Sequence, residues 1–94
     1  MTIQDTIIIP KTLFAQEVDE EMVILDTISE EYFGLDETGA VIWQYLSLSG
    51  SLQKVQEEMQ EIYEVDEKVL EADIFRFVQE LIDAGLVEIQ KEKV

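Results

Sequence analysis

The 94-residue sequence contains no cysteine and no histidine, and only six residues are lysine or arginine. Without cysteine the chain forms no disulfide, has no thiolate nucleophile and offers no sulfur ligand to a metal. Without histidine it lacks the side chain that most often serves as a general base or metal ligand near neutral pH. These absences argue against a metal centre and against catalysis by this chain alone.

Glycine is also scarce, and the four glycines do not build a phosphate-binding loop, because neither G-x-G-x-x-G nor a GK[ST] ending occurs. No Asp-x-Asp-x-Asp-Gly calcium loop is present, and the serines have no histidine partner to activate them as nucleophiles. We therefore expect no catalytic residue, no cofactor and no metal. The sequence predicts a binding protein rather than an enzyme.

The charge is strongly one-sided, because 22 acidic residues against 6 basic ones give a formal net charge of -16. Nucleic acids and anionic membrane surfaces are bound through lysine and arginine, so we expect neither as a partner. A basic protein or peptide is the natural complement, although the charge can also serve solubility alone. The first apolar run, residues 7–9, is too short for a signal peptide or a membrane span, and a cytoplasmic protein is expected.

The first half of the chain has the pattern of an antiparallel meander. Runs rich in β-branched and aromatic residues at residues 12–18, Glu21–Asp26 and Glu31–Leu35 are separated by short polar turns. We expect residues 1–11 to form a loosely held arm, in which the isoleucines at 7–9 pair with a sheet edge or dock on the core.

The second half has the pattern of three helices. Asp36, Ser51 and Asp66 are predicted N-caps, Gly50 is predicted to close the first helix, and the third is predicted to end near Gly85. Apolar residues at helical spacing are the predicted core stripes: Ile42, Trp43 and Leu46; Leu52, Val55, Met59, Ile62 and Tyr63; Leu70, Ile74, Phe77, Val78 and Leu81.

The predicted fold class is therefore α+β, a three-stranded antiparallel sheet followed by three helices, similar to a winged helix-turn-helix. The domain covers residues 12–89 and is followed by a charged tail, residues 90–94. Winged helices often bind DNA, but phosphates would repel the acidic third helix.

Two surfaces are candidates for binding. The third strand is a candidate free edge at Tyr32, Phe33 and Gly34, where glycine lets a second backbone approach; alternatively the two aromatics are ordinary sheet residues. The apolar stripe of the third helix has two flanks, and the pattern does not decide which one faces the sheet. One flank carries Val69, Asp73 and Arg76, and the other carries Phe75 and Ile82.

Two stretches of the sequence resemble a known family. The first is the Tyr-x-x-Leu-Asp-x-x-Gly pattern that begins at Tyr32 and leads into an Ile-Trp helix. The second is the end of the third helix, DIFRFVQELIDAGLV, which begins at Asp73. Both are similar to the PqqD family, and the resemblance extends in order and length over about residues 12–89.

This resemblance implies a non-catalytic recognition element for ribosomally made and post-translationally modified peptides. Such a domain captures the leader segment of a precursor as an added strand on the third strand and presents it to processing enzymes. Carried over to this sequence, the implied strand contacts are Glu31, Tyr32, Phe33, Gly34 and Leu35, and the implied groove residues are Val69, Asp73, Arg76 and Phe77.

The acidic charge suits a lysine-rich leader and, with the small size, favours a lasso peptide pathway with its leader peptidase and cyclase. One alternative is a PqqD-type chaperone that serves a radical-SAM enzyme. The other is an acidic winged-helix-like interaction or regulatory module that uses Phe75 and Ile82. Strand addition further predicts that proline at Phe33 or Gly34 abolishes peptide binding while the fold survives.

Overall fold

The computed structural model describes residues 1–91, which form five strands and three helices. In chain order these are β1 (Thr6–Ile8), β2 (Leu13–Val18), β3 (Glu21–Asp26), β4 (Glu31–Leu35), α1 (Glu37–Ser49), α2 (Leu52–Ile62), α3 (Glu67–Asp83) and β5 (Glu88–Gln90). The predicted α+β fold, a three-stranded antiparallel sheet followed by three helices, is confirmed. Two short strands near the ends of the chain were not predicted.

Strands β2, β3 and β4 form an antiparallel sheet in that order, so β4 lies at an edge. Alternate side chains point towards the helices, where Leu13, Ile24 and Leu35 are buried and Phe33 packs half-buried against the core. The alternation of the strands therefore leaves the other sheet face turned away from the helices.

The turn between β2 and β3 consists of Asp19 and Glu20, whose φ angles are 50° and 69°. Two positive φ angles match the twist of the flanking strands, and this is why Asn-Gly usually occupies such turns. Side chains with a Cβ are strained in this left-handed region. Aspartate tolerates this region better than most residues, so Glu20 is the unfavourable residue of the turn.

The three predicted helix starts are confirmed. Asp36, Ser51 and Asp66 each accept hydrogen bonds from backbone N–H groups of the following turn, at N···O distances between 2.7 and 3.3 Å. Gly50 closes α1 with a φ of 72°, the left-handed conformation that glycine adopts at helix ends without steric cost.

The predicted stripes of α1 and α3 are entirely buried. The stripe of α2 is correct as far as Met59, which is 2% exposed, and wrong beyond it, because Ile62 and Tyr63 are 56% and 43% exposed. The helix ends at Ile62 and the backbone of Tyr63 is extended. No further helical turn therefore continues the stripe.

Strand β1 pairs antiparallel with β5 and docks on the helical layer. Ile7 is 2% exposed, and its N–H donates to the carbonyl of Gly50 at 2.7 Å. The expectation of a loose arm is therefore wrong for Thr6–Ile8, whereas the alternative that the isoleucines dock on the core is confirmed at Ile7. The predicted tail, residues 90–94, begins within β5, and residues 92–94 lie outside the described part of the chain.

Replacing Glu20 with glycine is expected to raise the free energy of unfolding by about 0.5–1 kcal/mol, because glycine adopts a positive φ without a Cβ clash. The matched control is Glu17→Gly within β2, which is expected to lower the free energy of unfolding by about the same amount, since glycine weakens a strand interior. Urea unfolding followed by circular dichroism measures both. Equal destabilisation by the two substitutions would contradict the assigned turn.

Candidate functional site

The outer edge of β4 carries no paired strand within residues 1–91. One hydrogen bond shows which facing residues of the sheet form hydrogen-bonded pairs. At the open end of the β2–β3 hairpin, the Thr27 N–H donates to the Thr12 carbonyl at 3.0 Å. Hydrogen-bonded and non-hydrogen-bonded pairs alternate along an antiparallel ladder. The backbone groups of residues 21, 23 and 25 therefore face β2, and those of residues 22, 24 and 26 face β4.

This alternation assigns the backbone groups of β4 to two sides. Glu31, Phe33 and Leu35 lie opposite residues 26, 24 and 22, so their N–H and C=O groups bond β3. Tyr32 and Gly34 consequently direct their N–H and C=O groups to the free edge. These two residues offer the donors and acceptors that an added strand would use.

Tyr32 and Gly34 are also accessible. The Tyr32 side chain is 62% exposed. A Cβ added at Gly34 would meet no atom within 4 Å, so packing within the fold does not require glycine at this position. The edge is therefore open to a ligand at both residues.

The junction between β4 and α1 sets the geometry next to this edge. The Gly39 N–H donates to Asp36 Oδ1 at 2.7 Å, which starts the helix directly after the strand. A Cβ on Gly39 would lie 2.9 Å from Cε1 of Phe77 on α3. Phe77 is 8% exposed, so this predicted groove residue is a buried contact that positions α3 against the start of α1.

A cleft of about 330 Å³ opens beside this junction. Its lining includes Glu37 and Thr38 from α1, Met59 and Tyr63 from the end of α2, and Leu70 and Asp73 from α3. Buried Met59 and Leu70 supply apolar surface, Glu37 supplies negative charge, and the Asp73 carboxylate is paired with Arg76. The cleft therefore suits a ligand that has both apolar and cationic groups.

Sequence reasoning missed most of this lining. The helical spacing of apolar residues predicts a core position for Tyr63, and neither Glu37 nor Thr38 is among the predicted site residues. Of the residues predicted for the groove, Asp73 lines the cleft.

The two flanks of α3 differ in accessibility. Val69 is 52% exposed, and Arg76 Nη2 forms an ion pair with Asp73 Oδ1 at 3.0 Å. Phe75 and Ile82, on the other flank, are partly buried and pack against the core. The flank of Val69, Asp73 and Arg76 is therefore the accessible one, and the alternative interaction surface is largely used in packing.

Two glutamine side chains fix the start of α3 relative to α2. The Gln56 amide, in a residue only 6% exposed, donates to the Glu67 carbonyl at 3.0 Å, and the Gln60 amide donates to the Val65 carbonyl at 3.0 Å. Loss of a buried hydrogen-bond partner costs about 1–3 kcal/mol. These bonds hold the connection that forms one wall of the cleft.

Within residues 1–91 no group of three or more acidic side chains is arranged to hold a metal ion. None of the helices in the same range combines the length and the apolar composition that a membrane span requires.

Two solved structures are similar to this small α+β domain. One is TbiB1 in complex with the TbiA(beta) leader peptide, at 27% identity and a TM-score of 0.77, covering 90% of this chain and 99% of that one. The other is lasso peptide synthetase B1 complexed with the leader peptide, at 27% identity and a TM-score of 0.69, covering 88% of this chain and 98% of that one. Both share the fold along nearly their whole length.

The sequence also matches a known protein family. Residues 21–87 match the family described as coenzyme PQQ synthesis protein D (PqqD). This span covers more than half of the chain and contains the β4 edge, the β4–α1 junction and all of α3. The chain belongs to the PqqD family, as its motifs predicted. No curated protein matches the sequence.

Replacing Gly39 with alanine is expected to lower the free energy of unfolding by about 1–2 kcal/mol, because the new methyl group would overlap the Phe77 ring in a packed core. The higher helix propensity of alanine offsets only part of this cost. Gly34→Ala is the control and is expected to leave stability unchanged or slightly raised. Equal stability of the two variants in urea unfolding would contradict the packing described at the junction.

Proposed function

We propose that this chain captures the leader segment of a ribosomally made precursor peptide, by adding it as a strand to β4, and presents the precursor to processing enzymes. The observation that carries the proposal is the free edge, where Tyr32 and Gly34 direct their backbone groups away from the sheet. Strand addition to such an edge is a recurring mode of peptide recognition.

The similar solved structures support the same role. TbiB1 and lasso peptide synthetase B1 are each complexed with a leader peptide. Both are similar to this chain over almost all of their length, and the whole β4–α3 region lies in the part that matches the PqqD family.

Backbone pairing contributes affinity, and side-chain contacts contribute selectivity. Bonds to Tyr32 and Gly34 contribute about 0.5–1.5 kcal/mol each and tolerate many peptide sequences. Selectivity comes from peptide side chains on the inner face of the added strand. The peptide continues past Leu35 towards the cleft. There Asp73 and its neighbours Val69 and Arg76 provide polar and apolar contacts.

The charge and the similar structures favour one type of pathway. A net charge of -16 is complementary to a lysine-rich leader. Since both similar structures are leader-peptide complexes and one is a lasso peptide synthetase B1, we favour a lasso peptide pathway, with a leader peptidase and cyclase as partners, over a radical-SAM pathway. In this role the chain itself is non-catalytic and acts in the cytoplasm, where precursors are made.

Replacing Gly34 with proline is expected to weaken leader binding by about tenfold or more, because one edge donor is lost and the pyrrolidine ring obstructs the added strand. The probe is a synthetic peptide spanning the leader of the precursor encoded beside this gene, and calorimetry measures its affinity. Gly34→Ala keeps the N–H and is expected to bind within about threefold of the parent. A folded Gly34→Pro variant with parental affinity would refute strand addition at β4.

Proline at Phe33 would have a different effect from the one expected from the sequence. Phe33 pairs with Ile24, and its N–H faces β3 rather than the free edge. Phe33→Pro would therefore remove a bond within the sheet and destabilise the fold. Only the substitution at Gly34 separates binding from folding.

The association rate constant of the leader is expected to fall by about tenfold between roughly 20 and 500 mM NaCl, because salt screens the attraction between an acidic surface and a basic peptide. The dissociation rate is expected to change less. Stopped-flow fluorescence measures both, and a leader with its lysines replaced by glutamine is the control. An association rate independent of salt would argue against a lysine-rich leader.

A further inference from the structure

The sheet face turned away from the helices carries a row of large apolar side chains. Phe14, Leu25 and Tyr32 lie directly opposite one another across β2, β3 and β4. Phe14 is 57% exposed and Tyr32 is 62% exposed. Val23 lies in the next row of the same face. Val18, which is 41% exposed, lies at the end of this face next to the β2–β3 turn. We call these five residues the outer apolar patch.

This composition is unusual for a sheet with one face in water. Such sheets normally alternate apolar residues towards the core with polar residues towards solvent. Here the strands carry large apolar side chains on both faces, and Gln16 and Glu21 are the polar side chains at the paired positions of the outer face. Contiguous exposed apolar surface of this kind marks an interaction site.

The outer apolar patch is continuous with the peptide site through Tyr32, which belongs to both. A strand added to β4 would place every second side chain on the outer face, beside Tyr32. The row would then extend from three strands to four, and its last members would belong to the bound peptide. A protein that covers this face would therefore contact the captured peptide as well as the chain.

The charge of the chain limits what can cover the patch. A second copy would bring together two surfaces of net charge -16, which repel each other. A complementary partner has an apolar centre bordered by lysine and arginine.

We propose that the processing enzyme that receives the captured peptide docks on the outer apolar patch through such a surface. This inference rests on the proposed function and adds that the enzyme binds the peptide-loaded chain better than the empty chain.

The test is a double variant in β2, Phe14→Thr with Val18→Thr, which removes exposed apolar surface and keeps strand-forming residues. Both positions lie on the strand farthest from β4, so they are outside the peptide site. The control is Leu48→Gln, because Leu48 is 77% exposed but lies on α1. Each protein is loaded with the precursor encoded beside the gene and titrated against the processing enzyme encoded there.

The double variant is expected to bind the leader within about twofold of the parent and to raise the KM for the loaded chain by about tenfold, with kcat unchanged at saturation. Leu48→Gln should alter neither value. A parental KM for the double variant would overturn the docking proposal, as would an enzyme that does not distinguish loaded from empty chain. A parental chain that sediments as a dimer through this face would also overturn it. Failure of the parent to bind the leader would instead refute the proposed function.

Discussion

The hydrogen bond from the Gly39 amide to the Asp36 carboxylate determines where the sheet ends and the helical layer begins. Because α1 starts directly after β4, the side chains of its first turn stand at the end of the edge strand. The absence of a Cβ at Gly39 lets the Phe77 ring pack against the same turn, and this contact places α3. Glu37 and Thr38, which follow this junction directly, line the cleft between α1, the end of α2 and α3.

Strand β4 combines a structural role with the proposed binding role, because alternate residues along the strand serve each of them. Glu31, Phe33 and Leu35 bond β3 through their backbones, and the latter two also pack on the core. Tyr32 and Gly34 present their backbone groups to the edge and lie on the outer face. The residues needed for folding and those available to a peptide are therefore different residues of one strand. In the proposed function, this separation lets the residues that contact the peptide change without loss of the core.

Local patterns predicted much of the fold and part of the site. The three strands, the N-caps at Asp36, Ser51 and Asp66, and the stripe of α3 follow from periodicity and capping, which depend on neighbouring residues. The pairing of β1 with β5 was not predicted, because two three-residue strands carry little local signal and meet only through the tertiary fold. The exposure of the last turn of α2 also depends on the tertiary fold. Ile62 and Tyr63 continue the apolar spacing of the helix, which predicts burial, but both are exposed and Tyr63 lines the cleft.

The strand register determines which backbone N–H and C=O groups of β4 face the free edge, and composition does not reveal this register. The amide NMR spectrum of the chain during titration with its synthetic leader peptide is therefore the most direct test of strand addition. Strand addition at β4 predicts that the amides of Tyr32 and Gly34 shift most and become protected from solvent exchange, with smaller shifts at Val69 and Asp73. The β1–β5 pair should remain unchanged. Shifts confined to the Phe75 and Ile82 flank at saturation, with unchanged Tyr32 and Gly34 amides, would contradict capture of the leader at β4.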